Sequence, residues 1–248
     1  FHTLLKRANA LGADFLATGH YARVVHENNE YKLMRAVDAT RDQSYFLYGM
    51  SQKELSQIMF PLGDLTKVEV REIGRKAGIA TSDKPDSQEI CFVPKDYSDF
   101  VEKRIQGDTI KGNLIDESGK VLGSHEGIHK FTVGQRKGIQ IPTTLPMYVN
   151  HIDKETGNVT VGSKEALKKS EFDVRELRWV NNPIQVGDKV LTQIRSRFYP
   201  SEAEVIEIGD TIRMKFNTPQ ESISPGQAAV FYKGNQVVGG GWISKVIA

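Results

Sequence analysis

Asp14-Phe15-Leu16-Ala17-Thr18-Gly19-His20 is the stretch on which the fold turns. A short apolar run stops abruptly at a glycine and a histidine. Such a run, bounded by turn residues, predicts a buried strand. In an open parallel sheet the carboxyl end of a strand opens onto the ligand crevice, so Gly19 and His20 stand where a ligand would be met. Glycine lets a ligand approach the backbone closely, and His20 can donate to a phosphate or a base. A turn glycine beside a surface histidine is the plainer alternative.

Upstream, Phe1 to Gly12 predicts a helix with Leu4, Ala8 and Leu11 on one face and Gly12 as its C-terminal cap. Thr3 is its one start signal, and no cationic-then-apolar leader precedes it. A frayed terminus and a chain cut inside a domain both fit. Downstream, Ser51-Gln52-Lys53-Glu54 and Thr66-Lys67-Val68-Glu69 are capping boxes that open helices; Leu65 and Val70 occupy staple positions around the second, and Gly78 can close it. Residues 83–96 read as loop, with Pro85 and Pro94 bracketing Cys91, and a helix is expected over Tyr97 to Arg104. The first hundred residues are therefore α/β.

From Gly107 the character changes to short strands with frequent turns, at Glu117-Ser118-Gly119, Lys154 to Gly157 and Lys233-Gly234-Asn235. Asn158–Val161, Lys189–Ile194 and Thr211–Phe216 read as strands. In the last, Ile212, Met214 and Phe216 alternate with polar residues, the pattern of a half-buried strand. Regular short strands predict a small barrel or sandwich. Glu165 to Lys169 reads as a helical turn at a boundary, and Gly239-Gly240-Gly241 as a bulge or bend.

Thirty-three basic against 31 acidic residues leave a net charge of +2, so bulk charge names no partner. Any nucleic-acid site must be a local patch. No run approaches the ~18 apolar residues of a membrane span. The single cysteine excludes an internal disulfide and a cysteine-only metal cage, and points to a reducing, cytoplasmic setting.

Four segments carry candidate chemistry. Cys91, in Asp86-Ser87-Gln88-Glu89-Ile90-Cys91-Phe92, is either a buried thiol or a loop nucleophile; Lys84 and Lys95 are offset by Asp86 and Glu89, so local charge does not decide. Arg41-Asp42-Gln43-Ser44-Tyr45-Phe46-Leu47-Tyr48 can hold phosphate and read or stack on bases; its plainer reading is a helix start at Asp42 with Tyr45, Phe46 and Tyr48 as core and rim. Lys130, Arg136 and Lys137 frame a basic turn. Ile194-Arg195-Ser196-Arg197-Phe198-Tyr199 interleaves cations with rings, which suits a phosphate backbone and stacked bases. A solvated strand face explains these basic segments nearly as well. His125 and His129 have no partner at metal-binding spacing, and the sequon at Asn158 is expected to be idle.

Five stretches, in order, resemble the bacterial tRNA-specific 2-thiouridylases, the MnmA family: Ala17–Arg23, Arg41–Leu47, Asp86–Phe92, Thr132–Gly138 and Ser224–Tyr232. The resemblance implies an enzyme that uses ATP, with Mg2+, to adenylate the wobble uridine of certain tRNAs at its 2-oxygen. A cysteine persulfide, loaded by a donor protein, then supplies sulfur. It implies that Cys91 carries the persulfide and that Gly19 contacts the nucleotide. His20, Arg41, Asp42, Gln43, Arg197, Phe198 and Gln227 match tRNA-contacting positions; Phe198 stands where the family often has tyrosine. The family's Ser-Gly-Gly-x-Asp-Ser loop, an acidic base-contacting residue and a second cysteine that pairs with the Cys91 equivalent fall before Phe1. The resemblance thus implies the C-terminal two-thirds of the enzyme, inactive alone, cytoplasmic and monomeric, with no metal cluster. The fold implied is the remainder of a Rossmann-like ATP-pyrophosphatase domain (1–106), a small central domain (107–167) and a C-terminal β-barrel (168–248). The alternative from another class is a non-catalytic RNA-binding barrel module. A thiol-redox protein is weaker, because Cys91 has no resolving partner here.

Overall fold

The computed structural model describes residues 1–84, 102, 104, 109–139, 141–142 and 145–247. Cys91 with its motif, and the expected helix over Tyr97 to Arg104 apart from two residues, lie outside them. Contacts divide the chain into two units. One comprises Phe1–Lys84, Ser170–Thr218 and Pro225–Ala248; the other comprises Pro85–Lys169 and Pro219–Ser224.

In the first unit, helix α1 (His2–Ala10) leads into strand β1 (Leu16–Ala17), the strand predicted from the opening stretch. Gly12 takes the left-handed conformation (φ +76°) that ends the helix. The face of α1 differs from expectation. Leu5 is buried, whereas Leu4 and Leu11 are 52% and 86% exposed. Phe1, Leu5 and Ala8 share the same helical spacing as Leu4, Ala8 and Leu11, and packing of the Phe1 ring against the core selects the former set. The chain continues through β2 (Ala22–Glu27), β3 (Glu30–Arg35), a 3₁₀ turn (Ser44–Leu47), α2 (Gln52–Leu55), β4 (Ile58–Met59) and α3 (Lys67–Lys76). β1 and β4 pair in parallel, Leu16 opposite Ile58. Both capping boxes form with reciprocal side-chain and backbone bonds. The β2–β3 hairpin, which the sequence reading passed over, turns on Asn28 and Asn29 at φ +52° and +63°. Asparagine tolerates that conformation, so the pair does the work of the usual Asn-Gly.

The second unit carries β5 (Gly112–Ile115), β6 (Val121–His125), β7 (Tyr148–Ile152) and β8 (Val159–Gly162) in the order β6-β5-β8-β7. Leu114, Val149, Val159 and Val161 form its core.

The remaining strands are β9 (Lys168–Trp179), β10 (Lys189–Gln193), β11 (Ser201–Ile208), β12 (Ile212–Glu221), β13 (Ala228–Lys233) and β14 (Gln236–Val246). Their order is β13-β10-β11-β12-β9-β14, and β14 pairs back to β13, which closes a six-stranded barrel. Ile212, Met214 and Phe216 are buried as their alternation predicts. β3 adds to the start of β14, Leu33 opposite Val237, so the hairpin joins the α/β segment to the barrel sheet. A shared core reinforces that joint: Leu33, Tyr45, Leu47 and Leu55 pack with Val230, Tyr232 and Val237. The triple glycine is a register irregularity in β14. A Cβ on Gly240 would lie 2.6 Å from the Ala229 carbonyl oxygen and 2.8 Å from the Tyr48 ring. No helix among the described residues is long and apolar enough to cross a membrane.

Candidate nucleic-acid interface

Gly19 is exposed just past the end of β1. A Cβ there would meet only the Leu62 side chain, at 3.7 Å, so the backbone is open to close approach. His20 beside it is held by three neighbours. Its Nδ1 lies 3.0 Å from the Thr18 hydroxyl, and its ring meets those of Phe1 and Phe60 edge-on at 5.5 and 6.2 Å. Partial burial lowers its pKa, which favours the neutral imidazole at pH 7.

The Arg41-Asp42-Gln43 triplet braces this loop. The Gln43 amide donates to the Tyr21 carbonyl at 2.8 Å, and the Tyr21 amide donates to Gln43 Oε1 at 3.0 Å. The Asp42 side chain, 5% exposed, accepts from Arg35 Nε at 3.0 Å, the Ala36 amide at 3.0 Å, the Ser44 amide at 3.3 Å and the Ser44 hydroxyl at 2.8 Å. The side chains of Asp42 and Gln43 therefore bond within the fold, while Arg41 is exposed, its amide donating to the Asp38 carbonyl at 3.0 Å. The helix start expected at Asp42 is a 3₁₀ turn; Tyr45 is core and Phe46 is 62% exposed.

A buried polar chain then crosses to the barrel. Ser44 Oγ lies 3.4 Å from Tyr232 Oη, which donates to Gln193 Oε1 at 3.1 Å, and the Arg35 guanidinium sits 4.9 Å above the Tyr232 ring. Gln193 Nε2 in turn donates to the Arg195 and Ser196 carbonyls, shaping the cation–aromatic turn. Within that turn the Arg195 guanidinium stacks 5.6 Å over the Phe198 ring; Arg197 is exposed and Tyr199 is 88% exposed. Tyr45 is the hub. Its hydroxyl donates to the Ala228 carbonyl at 3.0 Å, next to the exposed Gln227, and Arg195 lies close enough to act on it electrostatically. Burial pushes its pKa up to about 12, so it stays a donor. Burial also lowers the pKa of Arg195, opposed by Tyr45.

The structure thus brings Tyr45 of the 3₁₀ turn together with Ala228, next to Gln227, and with Arg195, which lies over Phe198, while Gln43 ties the Gly19–His20 loop to the same turn. Sequence reading missed Ser44, Gln193 and Tyr232 as the link. Their one signal was that each lies in or beside a quoted motif. In the second unit, Gln135 braces its own turn, its Oε1 accepting from the Thr132 amide and its Nε2 donating to the Lys137 carbonyl, with Arg136 and Lys137 exposed. Among the described residues no three His, Cys, Asp or Glu side chains are grouped to hold a metal.

The chain thus combines an α/β segment with a closed barrel that it joins through β3 and β14, with exposed cations and rings on the loops. Family models match it along its length: the tRNA methyl transferase HUP domain over residues 1–95, the tRNA methyl transferase PRC-barrel domain over 98–163, and the aminomethyltransferase β-barrel domain over 169–243. The chain is 41% identical over 250 residues to the tRNA-specific 2-thiouridylase MnmA of Geotalea uraniireducens (strain Rf4), covering 100% of this chain and 67% of that protein. It is 41% identical over 274 residues to MnmA 2 of Syntrophus aciditrophicus (strain SB), covering 100% and 80%. With MnmA of Carboxydothermus hydrogenoformans (strain ATCC BAA-161 / DSM 6008 / Z-2901) the identity is 44% over 251 residues, covering 99% and 68%. The chain belongs to the tRNA-specific 2-thiouridylase family.

Proposed function

We propose that this chain is the tRNA-binding and sulfur-carrying part of a tRNA 2-thiouridylase. The observation that carries the reading is the convergence at Tyr45. Three segments far apart in sequence meet there, two presenting cations and rings and the third Gln227, and Gln43 links them to the open backbone at Gly19. That arrangement suits a tRNA whose wobble uridine is brought beside a nucleotide. ATP fits the exposed Gly19, and its chemistry is to adenylate the uridine 2-oxygen, which turns a poor leaving group into AMP. Mg2+ would travel on the phosphates, its usual mode beside nucleotides. Neutral His20 orients at the loop without adding charge. Cys91 receives sulfur from a donor protein as a persulfide; its outer sulfur bonds to C2 of the uridine as the C2–oxygen bond breaks and AMP departs, and the thiolate of the family's second cysteine then attacks Cys91 Sγ, breaking the S–S bond so that the sulfur stays on the uridine and the two cysteines end as a disulfide.

The family-model descriptions name methyl transfer, and the relatives are named for thiolation. Cys91 in its motif supports sulfur. The chemistries separate by nucleoside mass, oxygen replaced by sulfur against an added methyl group. These 248 residues hold no Ser-Gly-Gly-x-Asp-Ser stretch, so we expect this chain to bind tRNA without thiolating it. In the chain extended upstream through that loop, Cys91→Ser should abolish thiouridine formation from ATP and a persulfide donor while leaving tRNA binding intact. Full activity of the variant would overturn the role given to Cys91.

A further inference from the structure

We infer that Trp242, flanked by Arg175, is a base-stacking platform that extends the tRNA rim beyond Gln227. The inference rests on the tRNA reading above and names a residue which that reading does not use. Trp242 lies well inside the eleven-residue β14 and is 42% exposed, whereas Phe172, Phe216, Phe231 and Tyr232 on other barrel strands are buried. Its register partners are Ala228 on β13 and Arg175 on β9. Directly opposed residues share a face of the sheet. Two residues earlier the Tyr48 ring covers Gly240. The indole therefore stands where the cover provided by the 3₁₀ turn ends.

The surroundings favour an unpaired nucleotide as occupant. The same 3₁₀ turn carries Phe46, 62% exposed, and its Tyr45 bonds the carbonyl of Ala228, the register partner of Trp242. Gln227 precedes Ala228, and the Ile243 amide donates to the Gln227 carbonyl at 2.8 Å, so Gln227 and Trp242 are backbone neighbours. Arg175 and Arg178 are exposed on β9, opposite Trp242 and Gly240; Glu176 between them pairs with Arg175 at 3.5 Å, which leaves a cationic excess. An exposed ring with arginines on the neighbouring strand matches a base and its phosphates, the pairing that single-strand RNA sites use.

The chain has two tryptophans, Trp179 and Trp242. Trp179 stacks on Phe231 with ring centroids 6.0 Å apart, so Trp179→Phe keeps that contact and leaves Trp242 as the only indole. Titrating this variant with tRNA bearing a wobble uridine should quench its fluorescence. In the parent chain, Trp242→Ala should weaken tRNA affinity roughly 5- to 100-fold, the span of one base–ring stack, without changing the salt slope. Trp242→Phe should stay within about threefold, because a phenyl ring also stacks. Unquenched fluorescence together with unchanged affinity of Trp242→Ala, in a parent that binds tRNA, would overturn the platform alone. No binding by the parent at low salt would instead overturn the tRNA reading, and the platform with it.

Discussion

Asp42 and Arg41 are neighbours with opposite destinations. The Asp42 carboxylate is enclosed by four donors, and Arg35 loses its buried counter-charge if that carboxylate is removed. Breaking such a pair from one side costs on the order of 3 kcal/mol. Asp42→Ala should therefore lower the denaturant midpoint strongly. Arg41→Ala, at an exposed position that keeps its backbone bond to Asp38, should lower the midpoint much less and weaken tRNA binding. Equal stability of the two variants would refute the inward role of Asp42. The residue types in this triplet were legible as polar, but the inward bonds of the Asp42 and Gln43 side chains were not. The Asp42–Ser44–Tyr232 chain spans 188 positions from Ser44 to Tyr232, and no local pattern announces a partner that distant. His20 gives a pH test. Burial lowers its folded pKa, so below the unfolded value of about 6.5 the unfolded chain binds the extra proton first. Its contribution to stability is intact above that value and declines as pH falls towards the folded pKa. His20→Gln should flatten the dependence of the urea midpoint on pH between neutrality and about pH 5.

Elements that rest on neighbouring residues were readable in advance, and those chosen by remote packing were not. The capping box at Thr66 needs only Glu69 three residues on, and it forms. Thr66→Ala should cost about 1 kcal/mol and Thr66→Ser much less, because serine restores the oxygen that accepts the Glu69 amide. The alternation at Ile212, Met214 and Phe216 needs only the pleat of its own strand, and it too appears. Helix α1 failed that test because two sets of apolar residues had the same spacing, and Phe1 against the core decided between them. Gly240 is an element-scale case in which local reading named the bulge but not its reason. The glycine seats Tyr48 on β14 and admits the Ala229 carbonyl. Gly240→Ala should destabilise by roughly 1–3 kcal/mol, the usual penalty for overpacking. Tyr48→Leu in the same background should recover little, because the Ala229 oxygen is backbone and cannot move aside.

At the scale of the molecule, a net charge of +2 is too small to attract RNA from a distance, so on the tRNA reading proposed above affinity comes from the local arrangement of cations. The barrel was legible from its turns and short strands. The meeting of its loops with the 3₁₀ turn was not, because it exists only once β3 has joined β14 and Tyr45 has reached Ala228. This separates two kinds of contact in one turn. On the tRNA reading proposed above, exposed Arg197 meets phosphate, and each phosphate neutralised releases counterions and steepens the salt dependence of binding by about 0.7–0.9 in log–log slope. On the same reading Phe198, under the Arg195 guanidinium, meets a base, which releases none. Arg197→Ala should therefore lower tRNA affinity and reduce the slope by nearly one. Phe198→Ala should lower affinity with the slope intact, and Phe198→Tyr should restore it, since the ring is what stacks. Titrations of the three variants over a range of salt decide the point. If Phe198→Ala flattened the slope as much as Arg197→Ala, its ring would serve only to hold Arg195 in place, and the rim would be an electrostatic surface with no stacked base at that turn.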